Sequence, residues 1–129
     1  TRSSDGFTRK YLLALADAAR FQQRFDVSER ACEALQARFP GTREAAHARF
    51  LQARLAERRG DLGAALAHYE RYGTEAPSGP LAAEALARRV QLESTRGASA
   101  RGCVLAQQYL EQFPTGPMAH QFRERCGLD

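Results

Sequence analysis

The sequence predicts an all-α domain in which about three helix pairs and a C-terminal capping helix stack into a solenoid. Alanine is the commonest residue and β-branched residues are scarce, with three valines and no isoleucine, a composition that favours helices over strands. Apolar residues recur at three- and four-residue steps, and turn residues recur at a fixed longer interval. The length of 129 residues is enough for one domain with its own core.

The first two helices are predicted from apolar spacing. Over about five turns, apolar side chains recur as one buried helical stripe requires, namely Phe7, Tyr11, Leu15, Ala18, Phe21 and Phe25. The second helix carries Val27, Ala31, Leu35 and Phe39. It should end at Pro40 and Gly41, because proline cannot continue a helix.

Capping residues mark the next two helices. Thr42 can cap the third helix and Gly60 can stop it. Its predicted stripe is Ala45, Ala48, Leu51 and Leu55. Asp61 can cap the fourth helix, which should end before Gly73 and Pro77. The stripe of that helix is Leu62, Ala65, Leu66, Tyr69 and Tyr72.

Three further helices complete the chain. Pro80 suits a first helical position and opens the fifth helix, and Ser99 can cap the sixth. The two stripes are Leu81, Ala85, Leu86 and Val90, and Val104, Leu105, Tyr109, Leu110 and Phe113. Pro117 opens a short seventh helix that ends near Cys126. Seven helices with short connections leave no room for a sheet.

A period of 37 residues relates the helix pairs. Pro40, Pro77 and Pro114 lie on it, as do the pairs Gly60 and Gly97, Tyr72 and Tyr109, Gly79 and Gly116, and Pro80 and Pro117. We expect one domain, residues 1–129, with repeats at about 7–41, 42–78 and 79–115 and a terminal helix at 116–127. A single pair cannot bury both its apolar faces, so neighbouring pairs must stack.

The segment from Gly60 to Tyr69, closed by Pro77, resembles the turn and second helix of the tetratricopeptide repeats. The third repeat keeps Gly97, Tyr109 and Pro114, whereas the first keeps only its proline. The resemblance covers residues 7–126 and implies a right-handed solenoid of helical hairpins. The large aromatic residue and the Leu-Gly pair that the family favours in first helices are poorly matched here.

The resemblance also implies a function: a protein or peptide partner is received in a concave groove lined by the first helix of each pair. At the groove positions of the family stand Lys10, Asp17, Arg20, His47, Arg54, Arg58, Glu84 and Gln91. Neither a cofactor nor a small-molecule substrate is implied.

The long, proline-closed repeats are similar to those of bacterial envelope proteins. These include the lipoproteins of outer-membrane assembly and of the Tol-Pal system, and the repeat tail of FecR-type sigma regulators. The resemblance implies a periplasmic or envelope location, with the cytoplasm as the alternative. Because the chain begins at Thr1 rather than Met, we expect it to be a segment of a larger envelope or regulatory protein.

Cys103 and Cys126 lie equally far on either side of the turn near residue 114, so antiparallel packing would bring them level. Two interpretations remain open: a disulfide that staples the terminal helix, or two buried thiols that serve as small core residues. A disulfide would imply an oxidising compartment. Cys32 has no partner at a matching level and is interpreted as a core thiol.

Catalysis and metal binding are not expected. The three cysteines and three histidines lack the paired short spacings of metal ligands. His47, His68 and His120 fit ordinary helix positions. No glycine-framed serine, phosphate loop or nucleotide fingerprint is present, so the sequence favours binding over an enzymatic role.

The charge pattern argues against nucleic acid as the main partner. The net charge of +4 comes from 18 arginines and Lys10 against 15 acids, and arginine alternates with glutamate along the chain. No apolar run is long enough for a membrane helix. Two alternatives to the binding groove remain: a structural spacer or self-association domain, which allows a homo-oligomer, and arginine-mediated nucleic-acid binding, which is the weaker.

Overall fold

The computed structural model describes residues 2–128, with side chains from Ser4 onward, and over this range the chain forms seven α-helices and no strand. In chain order they are α1 (Arg2–Phe21), α2 (Phe25–Arg38), α3 (Arg43–Arg58), α4 (Leu62–Glu75), α5 (Ala82–Thr95), α6 (Ser99–Gln112) and α7 (Ala119–Cys126). The all-α prediction is confirmed. Each helix packs on its neighbours in the chain, and α1 also contacts α3.

The helix ends repeat with the period seen in the sequence. Three helices end at Phe21, Arg58 and Thr95, and the helices that follow them end at Arg38, Glu75 and Gln112. Successive ends in each set are 37 residues apart. The same backbone corner therefore recurs three times inside the hairpins. Between the hairpins it recurs twice, since Gly41 before α3 has a φ of 78° and its counterparts Ser78 and Thr115 do not have a positive φ.

The corner inside each hairpin depends on a residue in the left-handed region. Gln23, Gly60 and Gly97 have φ values of 60°, 76° and 85°. In each case the following residue donates its N–H to the carbonyl five residues back, as Asp61 does to Ala56 at 2.9 Å. Glycine adopts this conformation freely, whereas the side chain of Gln23 makes it unfavourable.

The corner between hairpins is closed by a tyrosine. The hydroxyl of Tyr72 accepts a hydrogen bond from the N–H of Leu81 at 3.1 Å, and that of Tyr109 accepts one from Met118 at 3.3 Å. A Cβ atom at Gly79 would overlap the Tyr72 hydroxyl, and the same holds for Gly116 and Tyr109. This contact explains why tyrosine and glycine recur together in the sequence.

The core is continuous along the hairpins and rich in alanine. Phe50 packs edge-on against Tyr69 and Tyr72, with ring centroids 5.3 and 6.0 Å away. The predicted α3 stripe is buried, with its four residues at most 6% exposed. Two of the three predicted caps are confirmed, since Thr42 accepts from the N–H of Ala45 and Asp61 from that of Ala64.

The predicted stripe of the first helix is largely wrong, although Leu15 is partly buried against the core. Phe7, Tyr11 and Phe21 are 73%, 58% and 76% exposed, and Phe25 begins α2. The face that α1 buries is instead formed by Leu12, Leu13, Ala16 and Ala19. The helix carries two apolar faces, and packing against α2 and α3 uses the face with alanine because it allows close approach.

Three predicted helix starts are also displaced. Ser99 is the first residue of α6 and not its cap, and Ala98 in the cap position has no side-chain oxygen. The fifth and seventh helices begin at Ala82 and Ala119, two residues after their prolines. The N–H groups of Ala82 and Ala119 bond to the carbonyls of Gly79 and Gly116, so the prolines belong to tight turns.

Candidate binding groove

The eight groove residues predicted from the sequence lie on three helices, of which α3 packs on α1 and is joined to α5 by ion pairs. Lys10, Asp17 and Arg20 are on α1, His47, Arg54 and Arg58 on α3, and Glu84 and Gln91 on α5. We call this surface the α1–α3–α5 face. One of its ion pairs joins two helices, since Arg54 on α3 lies 3.8 Å from Glu84 on α5, whereas Asp17 accepts from Arg20 within α1 at 2.9 Å.

The larger cavity of this face has a volume of about 660 Å³ and lies between α1, α3 and the turn that precedes α5. Its lining includes the apolar side chains of Leu13, Ala46 and Leu81. The polar lining includes three of the predicted residues, which are Lys10, Asp17 and His47. An apolar cavity with a few charged groups at its edge suits an inserted side chain of a partner.

A second cavity of about 320 Å³ lies further along the same face. It is lined by Arg20, Arg54 and Arg58, which were predicted, and by Glu57 and Arg88, which were not. Four arginines and one glutamate give this cavity a positive balance. The Arg58 guanidinium also lies 5.7 Å above the ring of Phe25, which directs part of that side chain toward α2.

Glu57 and Arg88 form the ionic link between α3 and α5. The Arg88 Nε atom donates to Glu57 Oε2 at 3.3 Å, and Arg88 Nη2 donates to Glu57 Oε1. The buried hydroxyl of Tyr69 donates to Glu57 Oε2. Arg88 Nη1 also donates to Gln91 Oε1 at 2.6 Å, which holds the last predicted residue in this network.

This network shifts the acidity of its members. Burial, followed by the hydrogen bond to Glu57, raises the pKa of Tyr69 above its usual value of 10. The hydrogen bond to Glu57 likewise raises the pKa of Arg88. Both groups keep their protons at physiological pH, so their hydrogen bonds to Glu57 persist beside the smaller cavity, which Glu57 and Arg88 line.

His47 in the larger cavity is biased toward its neutral form. Burial lowers its pKa from the usual 6.5, and the nearby Arg20 acts in the same direction. Asp17 and Glu44 oppose this shift. A neutral imidazole both donates and accepts a hydrogen bond, so His47 can pair with either a donor or an acceptor of a partner.

Sequence reasoning missed Glu57, Arg88 and the apolar lining of the larger cavity. One signal could have identified Glu57: Tyr69 was predicted to be buried, and a buried tyrosine hydroxyl needs a hydrogen-bond partner. Glu57 is on α3, which packs antiparallel against α4, and the long side chain of Tyr69 reaches it although the two residues are not level with each other. No comparable signal pointed to Arg88, whose position depends on how α5 packs against α3.

The structure joins Cys103 and Cys126 in a disulfide with an S–S distance of 2.11 Å and a Cα–Cα distance of 5.6 Å. The bond links α6 to α7 beside the packed rings of Tyr109 and Phe122. Cys32 is a buried free thiol, and burial raises its pKa to about 12, which makes it unreactive.

The remaining histidines lie apart from the groove residues. His68 on α4 is half-buried and burial lowers its pKa, whereas His120 on α7 is exposed and lies 3.1 Å from Glu124. Among residues 2–128, no three His, Cys, Asp or Glu side chains come together as metal ligands.

No protein-family model matches the chain, and no curated protein matches it either. In the described part of the chain, no helix combines the length and apolar character that crossing a membrane requires.

Proposed function

We propose that the chain is a non-catalytic binding module of the tetratricopeptide type, whose α1–α3–α5 face receives an extended or helical segment of a protein partner. The main support is the pair of cavities along this face, one with an apolar lining and one lined by arginines. Together they offer an anchor for an apolar side chain and a neighbouring site for an acidic one.

Preorganisation supports this proposal. The Glu57, Arg88 and Tyr69 network fixes α5 against α3 before any partner arrives. A partner therefore loses conformational freedom without the module losing much of its own, which favours affinity.

The disulfide supports a location in an oxidising compartment, because disulfides persist outside the reducing cytosol. We therefore place the module in the periplasm or cell envelope, within a larger envelope or regulatory protein. The terminal helix has only eight residues, and the covalent link to α6 stabilises it.

Selection of a displayed random peptide library on the 129-residue chain tests the function. Affinities of selected peptides are then measured by fluorescence anisotropy for the wild type, for His47→Glu and for the double variant Arg54→Glu/Arg58→Glu. We expect each change to weaken binding by about tenfold or more, because a contact to a charged group contributes about 1.5–3 kcal/mol.

A matched control reverses two charges elsewhere. Arg30 on α2 and Arg71 on α4 are exposed and lie outside both cavities of the groove. The variant Arg30→Glu/Arg71→Glu should bind as the wild type does. Equal affinity of the groove variants and the control, or no peptide enriched over background, would refute binding at this face.

A further inference from the structure

The outer face of α1 carries an exposed seam with the spacing of a coiled coil. Five exposed residues follow one another at alternating four- and three-residue steps, namely Phe7, Tyr11, Ala14, Ala18 and Phe21. The core of the domain lies on the other side of the helix, at Leu12, Ala16 and Ala19. The seam covers two heptads with the spacing through which helices pair in coiled coils.

This seam does not match the surface that joins one hairpin to the next. The residues 37 positions after Tyr11 and Ala18 are Ala48 and Leu55, both 0% exposed. Alanine at position 48 lets the preceding hairpin approach closely, whereas Tyr11 would hold such a hairpin away. Ala18 is smaller than Leu55, so a hairpin packed against α1 in the same way would leave a cavity at this position. The seam is therefore built for a different partner.

The side chains of the seam complement a second, antiparallel copy of themselves. When two α1 helices run in opposite directions, Phe7 faces Ala18 of the second copy and Tyr11 faces Ala14 of the second copy. Each layer from Phe7 to Ala18 thus pairs an aromatic ring with an alanine, whereas Phe21 lies beyond these layers, opposite Ser4 of the second copy. A parallel pair would instead place aromatic against aromatic and alanine against alanine.

The charges beside the seam favour the same orientation. Lys10 and Asp17 flank it on one side, and both are at least partly exposed. In the antiparallel pair, Lys10 lies near Asp17 of the second copy, and the two-fold axis repeats this contact. The other flank carries the uncharged Thr8, Leu15 and Gln22.

The surface area that the seam would bury on pairing corresponds to a weak but specific dimer. An aromatic side chain offers about 200 Å², so the exposed parts of Phe7, Tyr11 and Phe21 amount to about 400 Å² on each copy. With the alanines and the flanks, the total for both copies reaches about 1,000–1,200 Å², near the lower limit of stable interfaces.

We propose that two copies of this chain associate through the outer face of α1 in an antiparallel, two-fold symmetric pair. The seam shares Ala14, and its flank shares Lys10 and Asp17, with the larger cavity, whereas Tyr11 lies outside both cavities. The proposal does not rest on peptide binding, but the dimer and a peptide in the larger cavity would compete for these three residues.

Light scattering coupled to size exclusion, and sedimentation velocity, test the association between about 1 µM and about 1 mM, the range in which an interface of this size forms. The weight-average mass should rise from 14.3 kDa toward twice that value. The variant Tyr11→Lys should stay at the monomer mass. Its control is Val104→Lys, because Val104 on α6 is 60% exposed and lies outside the seam. Circular dichroism checks that both variants remain folded.

Charge reversal tests the orientation. Lys10→Asp and Asp17→Lys should each weaken the dimer by about tenfold, and the double variant Lys10→Asp/Asp17→Lys should recover most of this loss. A chain that remains monomeric throughout, or a dimer that Val104→Lys weakens as much as Tyr11→Lys, would overturn the proposal. A dimer that is indifferent to both charge reversals would overturn the antiparallel arrangement.

Discussion

Replacing Gln23 with glycine should stabilise the protein, because this residue occupies the only left-handed corner position in the described chain that is not glycine. Its φ of 60° lies close to the 76° of Gly60 and the 85° of Gly97, its counterparts in the next two hairpins. The side chain of Gln23 is exposed, so its removal sacrifices little packing.

The magnitude follows from two opposing terms. A non-glycine residue in the left-handed region costs about 1–2 kcal/mol, and glycine loses about 0.5–1 kcal/mol more conformational entropy on folding. The net gain for Gln23→Gly is about 0.5–1 kcal/mol. For a chain of this length that corresponds to a rise in Tm of about 2–4 °C. The reverse changes Gly60→Gln and Gly97→Gln should each lower the stability by a similar amount.

Urea denaturation followed by circular dichroism measures these free energies of unfolding. Gln22→Gly is the matched control, because Gln22 is also exposed and its φ is not positive. It should not gain stability. A loss of stability in Gln23→Gly, or unchanged stability in Gly60→Gln, would contradict the equivalence of the three corners.

Three further measurements probe other parts of the fold. Removing the disulfide with Cys103→Ser/Cys126→Ser should lower the free energy of unfolding by about 3 kcal/mol. In urea titrations of the wild type, dithiothreitol should have the same effect. No change in stability on reduction would count against a native disulfide. Tyr109→Phe should cost about 1 kcal/mol in the same titration, because the N–H of Met118 loses its acceptor, and an unchanged midpoint would count against this bond. Because burial lowers the pKa of His68 below 6.5, protonation of this residue favours the unfolded chain. The Tm should therefore fall as the pH drops below about 6.5, and His68→Gln should reduce this fall. Identical pH profiles of Tm for the variant and the wild type would contradict the pKa shift.

Much of the helical framework was predictable because local chemistry determines it. Thr42 and Asp61 cap their helices whatever the rest of the chain does, since each oxygen bonds an N–H only three residues away. The same is true of the Gly60 and Gly97 corners, where the backbone itself requires a left-handed residue. The spacing of these residues was therefore enough to give the helix order and the repeat.

The face that α1 buries could not be read from spacing alone. The helix has one apolar set that includes Tyr11 and another that includes Ala16, and both have a helical period. The larger residues suggested the core, but close packing on α2 and α3 selected the smaller ones, so Ala16 is buried and Tyr11 is not. This choice depends on contacts between helices that are distant in the sequence.

The candidate groove also contains residues that the sequence could predict and residues whose roles depend on tertiary contacts. The resemblance to tetratricopeptide repeats led to the face that carries Lys10, Asp17 and His47. The role of Arg88 depends on the ion pair that joins α5 to α3, a tertiary contact that no local pattern encodes. Its partner Glu57 could be anticipated only through the need of Tyr69 for an acceptor.

The two ends of the molecule differ in a way that limits how large an assembly can grow. The outward side of α7 presents His120, Gln121, Glu124 and Arg125, all polar and exposed, and a covalent bond holds this helix in place. Only the opposite end is apolar. In a contact between two such ends, each copy buries its exposed apolar surface. The interface is then closed, and no apolar surface is left for a third copy. The dimer that we propose would therefore stop at two copies.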